Sequence, residues 1–208
     1  MGWLRRIRPD RPGEAGAEEP RADASPPEVE RSAPGIAALF ADLREDGSHG
    51  VLDLGASVEA NFELYSRFAR RIHFADLLSA PLRGEPWAAA LASLPQHPEQ
   101  AYDLVLAWNL LDLVPPKAGS HLVKHLSRVT TPGARLYVLV DASGKPTTQQ
   151  FRFTIRGMDR VAQRTLDNPL QAGPGLLPAE VERLLRPFEV THAFTLRLGY
   201  REYVAVRD

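Results

Sequence analysis

The sequence predicts an α/β protein: a doubly wound, mostly parallel sheet with helices on both faces and an antiparallel hairpin at its C-terminal end. Three observations carry this. Val51-Leu52-Asp53-Leu54-Gly55 is a compact apolar run stopped by a glycine and followed by a helical pattern, the opening of a βαβ unit. Tyr102 to Leu113 holds a run that is apolar on both faces, as a central parallel strand covered by helices requires. Phe188 to Leu198 and Tyr200 to Val206 read as two long strands meeting at Gly199.

The chain of 208 residues, 44% hydrophobic, can bury a sizeable core and suggests one globular domain plus extras. Lys and Arg number 25 against 26 Asp and Glu, a net charge of −1, so no global field favours nucleic acid or an anionic membrane. The absence of cysteine excludes disulfides, thiolate metal sites and a cysteine nucleophile, and it fits a reducing, cytoplasmic setting. Met1 to Arg8 lacks the roughly 7–15 apolar residues of a secretory segment. No run approaches the roughly 18 apolar residues of a membrane span.

Residues 1–34 are expected to form a disordered tail, because 9–33 are rich in Pro, Glu, Ala and Arg without hydrophobic period. The folded domain is expected over 35–208. Ile36, Leu39, Phe40 and Leu43 form one face of a first helix ending near Asp46-Gly47. After Gly55, Phe62, Tyr65 and Ala69 share a face of a second helix whose last turn holds Arg70-Arg71. A strand over about 71–75 ends at Asp76, 21 positions beyond Gly55, the distance at which an acid can accept hydrogen bonds from a ribose diol.

Residues 86–94 look helical, and no β-branched run marks a third parallel strand between Leu77 and Ala101. Ser120 can cap a helix carrying Leu122, Val123, Leu126 and Val129, and a strand over 134–140 then ends at Asp141. Residues 142–177 read as an irregular insertion whose Arg152, Arg156, Arg160 and Arg164 form either the polar face of a helix or an anion-binding lid. A helix from Pro178 carries Val181, Leu184 and Leu185 inward.

The acid-x-glycine turn Asp53-Leu54-Gly55, the aromatic-Asp-apolar strand Tyr102-Asp103-Leu104-Val105-Leu106-Ala107-Trp108-Asn109, and Leu126-Ser127-Arg128-Val129-Thr130-Thr131-Pro132-Gly133-Ala134 resemble motifs of the class I, Rossmann-like S-adenosylmethionine-dependent methyltransferases. Ser57 and Glu59 stand where that family has its second and third glycines. The resemblance implies S-adenosylmethionine as cofactor, a terminal hairpin, an insertion over the substrate, and transfer of the methyl group by in-line displacement to an acceptor it does not identify. It implies a donor site made of Asp53, Gly55, Ala56, Asn61, Asp76, Trp108 and Asn109, with Asp76 on the ribose and Asn61 near the amino-acid end. The alternative is a methyltransferase-like module that no longer catalyses and serves as a binding scaffold.

Such a transfer needs alignment in a dry site more than a dedicated base. Asp112, Asp141 and His121 are candidates if one is used. The bland readings stand beside these: Asp53 bonded to its own turn, Asp76 as a helix cap, His121 and His125 on a solvated face rather than on a metal, and His73 and His192 as core histidines.

Overall fold

The computed structural model describes residues 27–96, 101–167 and 170–208. Its main sheet has six strands in the order β3-β2-β4-β5-β9-β8: β2 (His49–Asp53), β3 (Ala69–Phe74), β4 (Tyr102–Leu106), β5 (Thr130–Asp141), β8 (Phe188–Thr195) and β9 (Tyr200–Arg207). The first four in this order run parallel, and β9 and β8 are antiparallel. The expected α/β architecture with its C-terminal hairpin is what forms. From β2 the chain moves outward to β3 and returns to β4 on the other side of β2. The strand order therefore switches between β2 and β4, the place where an open α/β sheet leaves a crevice. Among the described residues there is no strand between β3 and β4, and Pro98 to Gln100 lie outside them.

Strand pleating divides the core into two layers. Leu52, Val105, Leu136 and Val138 face α3 (Ser79–Leu82), α4 (Trp87–Ala92), α5 (Pro116–Val129) and α6 (Pro178–Leu185). Val51, Leu104, Tyr137 and Leu139 face α1 (Pro34–Phe40), α2 (Glu59–Ser66) and a second, smaller sheet. That sheet is β1-β7-β6, all antiparallel: β1 (Glu28–Ser32), β7 (Arg160–Thr165) and β6 (Phe151–Gly157). Within 142–177, expected to be irregular, β6 and β7 are thus regular strands. Phe151, Phe153 and Ile155 alternate with Arg152, Thr154 and Arg156, and the apolar set is buried. The arginines lie on strands rather than on a helix face; Arg156 and Arg160 pair with Glu28 and Glu30 of β1. Residues 28–34 belong to the folded body instead of the tail, and residues 1–26 lie outside the described residues.

Several expected placements change, two of them at the outer strands of the main sheet. Ala69, Arg70 and Arg71 leave the second helix and enter β3, an outer strand where charged residues discourage pairing with other chains. His192 lies exposed on the other outer strand, β8, and is not a core histidine. The first helix stops at Phe40, ahead of the expected Asp46. Ser120 is interior to α5, which begins at Pro116 with its preset φ, and its hydroxyl bonds back to the Pro116 carbonyl. Among the described residues no helix is long and apolar enough to cross a membrane.

The two sheets are tied together by Glu202 of β9, which is fully buried. It accepts from the Gly35 N–H at 2.6 Å, the Tyr137 hydroxyl at 2.8 Å and the Arg31 guanidinium of β1 at 2.9 Å. Residue 35 must be glycine for this approach, since a Cβ there would sit 2.9 Å from Glu202 and Tyr137. Glu202→Ala should strand the guanidinium and the amide and cost on the order of 3 kcal/mol or more, read as a lower urea midpoint, with Glu202→Gln costing less. An unchanged midpoint would show that the network contributes nothing.

Candidate functional site

The parallel strands deliver Asp53, Asp76, Trp108 and Asn109 to one end of the sheet, on either side of the switch point. Asp53 closes β2 and is completely buried. Its Oδ1 accepts from the Gly55 N–H at 2.8 Å and from the Trp108 Nε1–H at 2.6 Å, and its Oδ2 accepts from the Tyr65 hydroxyl at 2.7 Å. The turn can be this tight because residue 55 has no side chain: a Cβ would stand 3.1 Å from both Trp108 Cδ1 and Asp53 Oδ1.

Trp108 follows β4 with φ of +50°, in the left-handed region where bulky side chains are rare. That backbone turns the indole back over the strand tips. There it stacks on Phe153 of β6 at 4.8 Å between centroids and 7° between planes, and it meets the Tyr137 ring edge-on at 5.6 Å. Asp76 also has positive φ, +39°, at the end of β3; its carboxylate accepts from the Ser79 hydroxyl at 2.5 Å. Asn109 is buried and donates to the Gln149 carbonyl at 3.1 Å.

These residues line one cavity, with Gly55, Ala56, Asp76, Trp108 and Asn109 on the sheet side and Phe151, Arg152 and Phe153 of β6 across from them. Five of the seven expected donor residues are therefore brought together. The other two stand apart from the lining. Asp53 lies behind Gly55 and Trp108. Asn61 is pinned to β6, donating to the Phe153 carbonyl at 3.1 Å and accepting from the Ile155 N–H at 2.7 Å, so its amide is taken by the protein. None of the three candidate bases lines the cavity. Asp112 accepts from the Asp141 N–H at 2.9 Å, and His121 lies with His125 in a hollow beside α4. Among the described residues no group of three potential metal ligands exists, and His125 instead contacts the Pro95 carbonyl and Arg128.

The cavity is about 80 Å³, well below the roughly 300–1,000 Å³ of a pocket that takes a small organic ligand. The protein's own rings fill the rest of the hollow. Two sets of atoms stand in the way, and they differ in what moving them costs. The β6–β7 hairpin buries Phe151, Phe153, Ile155 and Val161 in the core. At roughly 1.5–3 kcal/mol for each such side chain, withdrawing it would spend about 6–12 kcal/mol, as much as a domain's whole stability. Swinging the Trp108 indole away breaks a hydrogen bond to a carboxylate and two ring contacts, about 2–4 kcal/mol, and also exposes a side chain buried in the same core cluster, about 1.5–3 kcal/mol more. A ligand at 100 to 1,000 times its dissociation constant supplies about 2.7 to 4.1 kcal/mol. Both obstacles are thus core packing, with the hairpin the costlier of the two.

The sequence reading missed Tyr65 and Phe153 as site residues. Tyr65 was visible only as a member of an apolar helix face, and Phe153 only as one step in a Phe-x-Phe-x-Ile alternation inside a stretch rich in Gly, Pro and Arg.

No protein-family model matches the chain, and no curated protein matches it in sequence. Solved structures match it in shape. It is similar to an S-adenosylmethionine dependent methyltransferase from Mesorhizobium loti, with a TM-score of 0.52 and 16% identity, covering 82% of this chain and 96% of that one. It is similar as well to the 1,6-didemethyltoxoflavin-N1-methyltransferase of Burkholderia thailandensis, solved with 1,6-didemethyltoxoflavin and S-adenosylhomocysteine bound. There the TM-score is 0.51 and the identity 20%, covering 84% of this chain and 76% of that one. The chain has the Rossmann-like α/β fold of the S-adenosylmethionine-dependent methyltransferases.

Burial pushes the Asp53 carboxyl up to about 6, against the pull of its hydrogen bonds from Tyr65, Gly55 and Trp108. Burial also pushes Asp112 up to about 7, with the nearby Asp141 charge adding to it. Both groups bind protons more tightly folded than unfolded. The stability they confer is fully present below pH 4 and is lost as pH rises through about 6 and about 7. Asp112→Asn keeps an acceptor for the Asp141 amide and removes the buried charge. It should raise stability at pH 8 relative to wild type by up to about 4 kcal/mol and change little at pH 4. Thermal melts at the two pH values check this, and an equal shift at both would contradict the assignment.

Proposed function

We propose that this chain is an S-adenosylmethionine-dependent methyltransferase whose donor site is the cavity at the parallel strand tips. The observation that carries the reading is the lining of that cavity. Gly55, Ala56, Asp76, Trp108 and Asn109 come from three separate strand ends and meet at the switch in strand order, where ligands of open α/β sheets bind. In this arrangement Asp76 is the acceptor for the ribose hydroxyls and the Gly55-Ala56 backbone approaches the donor's amino-acid end. The methyltransferase fold of the neighbouring structures supports the choice of donor over a nicotinamide cofactor. The turn itself, where Ser57 and Glu59 stand in place of that family's further glycines, favours the second reading below.

The closed cavity, at about 80 Å³, does not fit the donor, so the reading requires a side chain to leave. No step of the transfer is derived through the closed site. The acceptor is left as a small molecule or a protein side chain; a chain of net charge −1 has no basic surface field to draw nucleic acid.

A second reading, a methyltransferase-fold module that does not catalyse, is favoured by a specific observation. Asp53 is completely buried and already holds hydrogen bonds from Gly55, Tyr65 and Trp108. Isothermal titration separates the two at the binding step. Methyltransferase function predicts heat with S-adenosylhomocysteine at micromolar concentration, and S-adenosylhomocysteine carried through purification in the mass spectrum. Folded protein that gives no heat up to millimolar ligand would remove the donor reading and leave the scaffold.

A further inference from the structure

We propose that the cleft between α5 and α6 is a binding site for a small amphipathic anion, a carboxylate or phosphate head carried on an apolar chain. The inference is independent of the donor reading above and concerns the opposite face of the main sheet from the small one.

The cleft encloses about 580 Å³, inside the roughly 300–1,000 Å³ of pockets that take small organic ligands. Its floor belongs to the core: Leu111 and Val114 are buried there, and Leu176 and Leu184 pack against the same cluster. It stays open because α5 walls it with small residues. Gly119 is where the helices close in, since a Cβ there would stand 3.3 Å from Val114 Cγ1 and 3.7 Å from Leu184 Cδ2. Ser120 and Ser127, farther along α5, donate their hydroxyls back to the Pro116 and Lys124 carbonyls, so they give the cleft neither bulk nor a donor.

The two ends of the cleft differ in chemistry. β5 and β8 are both antiparallel to β9 and so share a direction, and α5 leads into the one as α6 leads into the other. The two helices therefore run the same way along the cleft. Leu111, Val114, Pro174 and Leu176, which precede them, make one end, and none of these side chains is polar. Lys124, Arg183 and Arg186, from the second halves of the helices or just beyond, bring three cations to the other end. Pro116 and Lys124 lie about 12 Å apart along α5 at the helical rise of about 1.5 Å per residue, so the ends are well separated.

Those cations are unspent. Among the described residues none of the three makes an ion pair or a side-chain hydrogen bond. Glu180 also lines the cleft, but its Oε2 accepts from the Leu177 N–H at 2.9 Å and caps α6. In a chain of net charge −1 this is a local positive field with an apolar slot beside it. Two guanidinium groups offer the forked donors that fit a carboxylate or a phosphate, and Lys124 adds a point charge from the facing helix. The cations are exposed, where a bare anion gains little from them in water. An uncharged chain gains the floor alone. A ligand with both parts uses the whole cleft.

Isothermal titration of the full chain with decanoate and with decyl phosphate, below the concentrations at which they aggregate, tests this. Decan-1-ol and inorganic phosphate probe each end by itself. We expect one equivalent of either amphipathic anion to bind, at least about tenfold more tightly than decan-1-ol or phosphate, with the tighter of the two identifying the head as carboxylate or phosphate. The paired substitution Arg183→Gln and Arg186→Gln should weaken both anions about tenfold. Ser120→Trp, at an exposed position, fills the cleft with an indole and should abolish their binding. Each variant is first checked for a cooperative thermal melt, and the glutamine pair, also at exposed positions, carries the test if the tryptophan variant does not fold. Decan-1-ol binding as well as decanoate, or phosphate as well as decyl phosphate, would overturn the proposal. So would no binding of either anion, unchanged affinity in either folded variant, or several equivalents bound, the mark of adsorption to exposed apolar side chains. S-adenosylhomocysteine titrated separately keeps failure of this site distinct from failure of the donor reading.

Discussion

The carboxylate of Asp53 is the point on which the site end of the molecule turns. It ends the first parallel strand, and from there it fixes the glycine turn through the Gly55 amide, the α2 helix through the Tyr65 hydroxyl and the tip of β4 through the Trp108 indole. A buried carboxylate that bonds to three different segments is costly to ionise, and its pKa of about 6 records that cost. The same desolvation makes each of its hydrogen bonds strong. The order of the strand tips is therefore held by polar contacts in a dry place, with the apolar packing of the sheet beneath them.

Around this centre the small sheet β1-β7-β6 distinguishes the chain from a bare doubly wound domain. It covers the face of the main sheet that α1 and α2 leave open, and it brings Phe151 and Phe153 over the switch point. Glu202 and Asn61 fasten it at two places, one by an ion pair and one by an amide bridged to backbone. The consequence for function is a site roofed by core residues.

The parts of this arrangement written in local pattern were legible. Val51 to Gly55 and Tyr102 to Leu106 announce central parallel strands, and Phe188 to Val206 announces the hairpin, because burial on both faces and period-two alternation leave direct marks on residue order. Asp76 and the Trp108-Asn109 pair follow from strand ends, and all three line one cavity. What depends on contacts between distant segments was not legible. Trp108 and Asp53 are 55 residues apart, and nothing near either one signals the bond between them. Nor does any local signal tell that Asn61 serves β6, 92 and 94 residues away, in place of a ligand. Phe151 to Ile155 does carry a strand pattern, but five residues between arginines and glycines weigh little against an expectation of an irregular loop. The volume of the cavity is a property of packed rings, which composition and spacing do not encode.

The most direct measurement is a crystal structure of the full chain with S-adenosylhomocysteine bound. The account predicts the ligand at the parallel strand tips, beside the Gly55-Ala56 turn, Asp76 and Asn109, with β6 and its Asn61 clamp where they stand now. A ligand bound elsewhere on the molecule would contradict it.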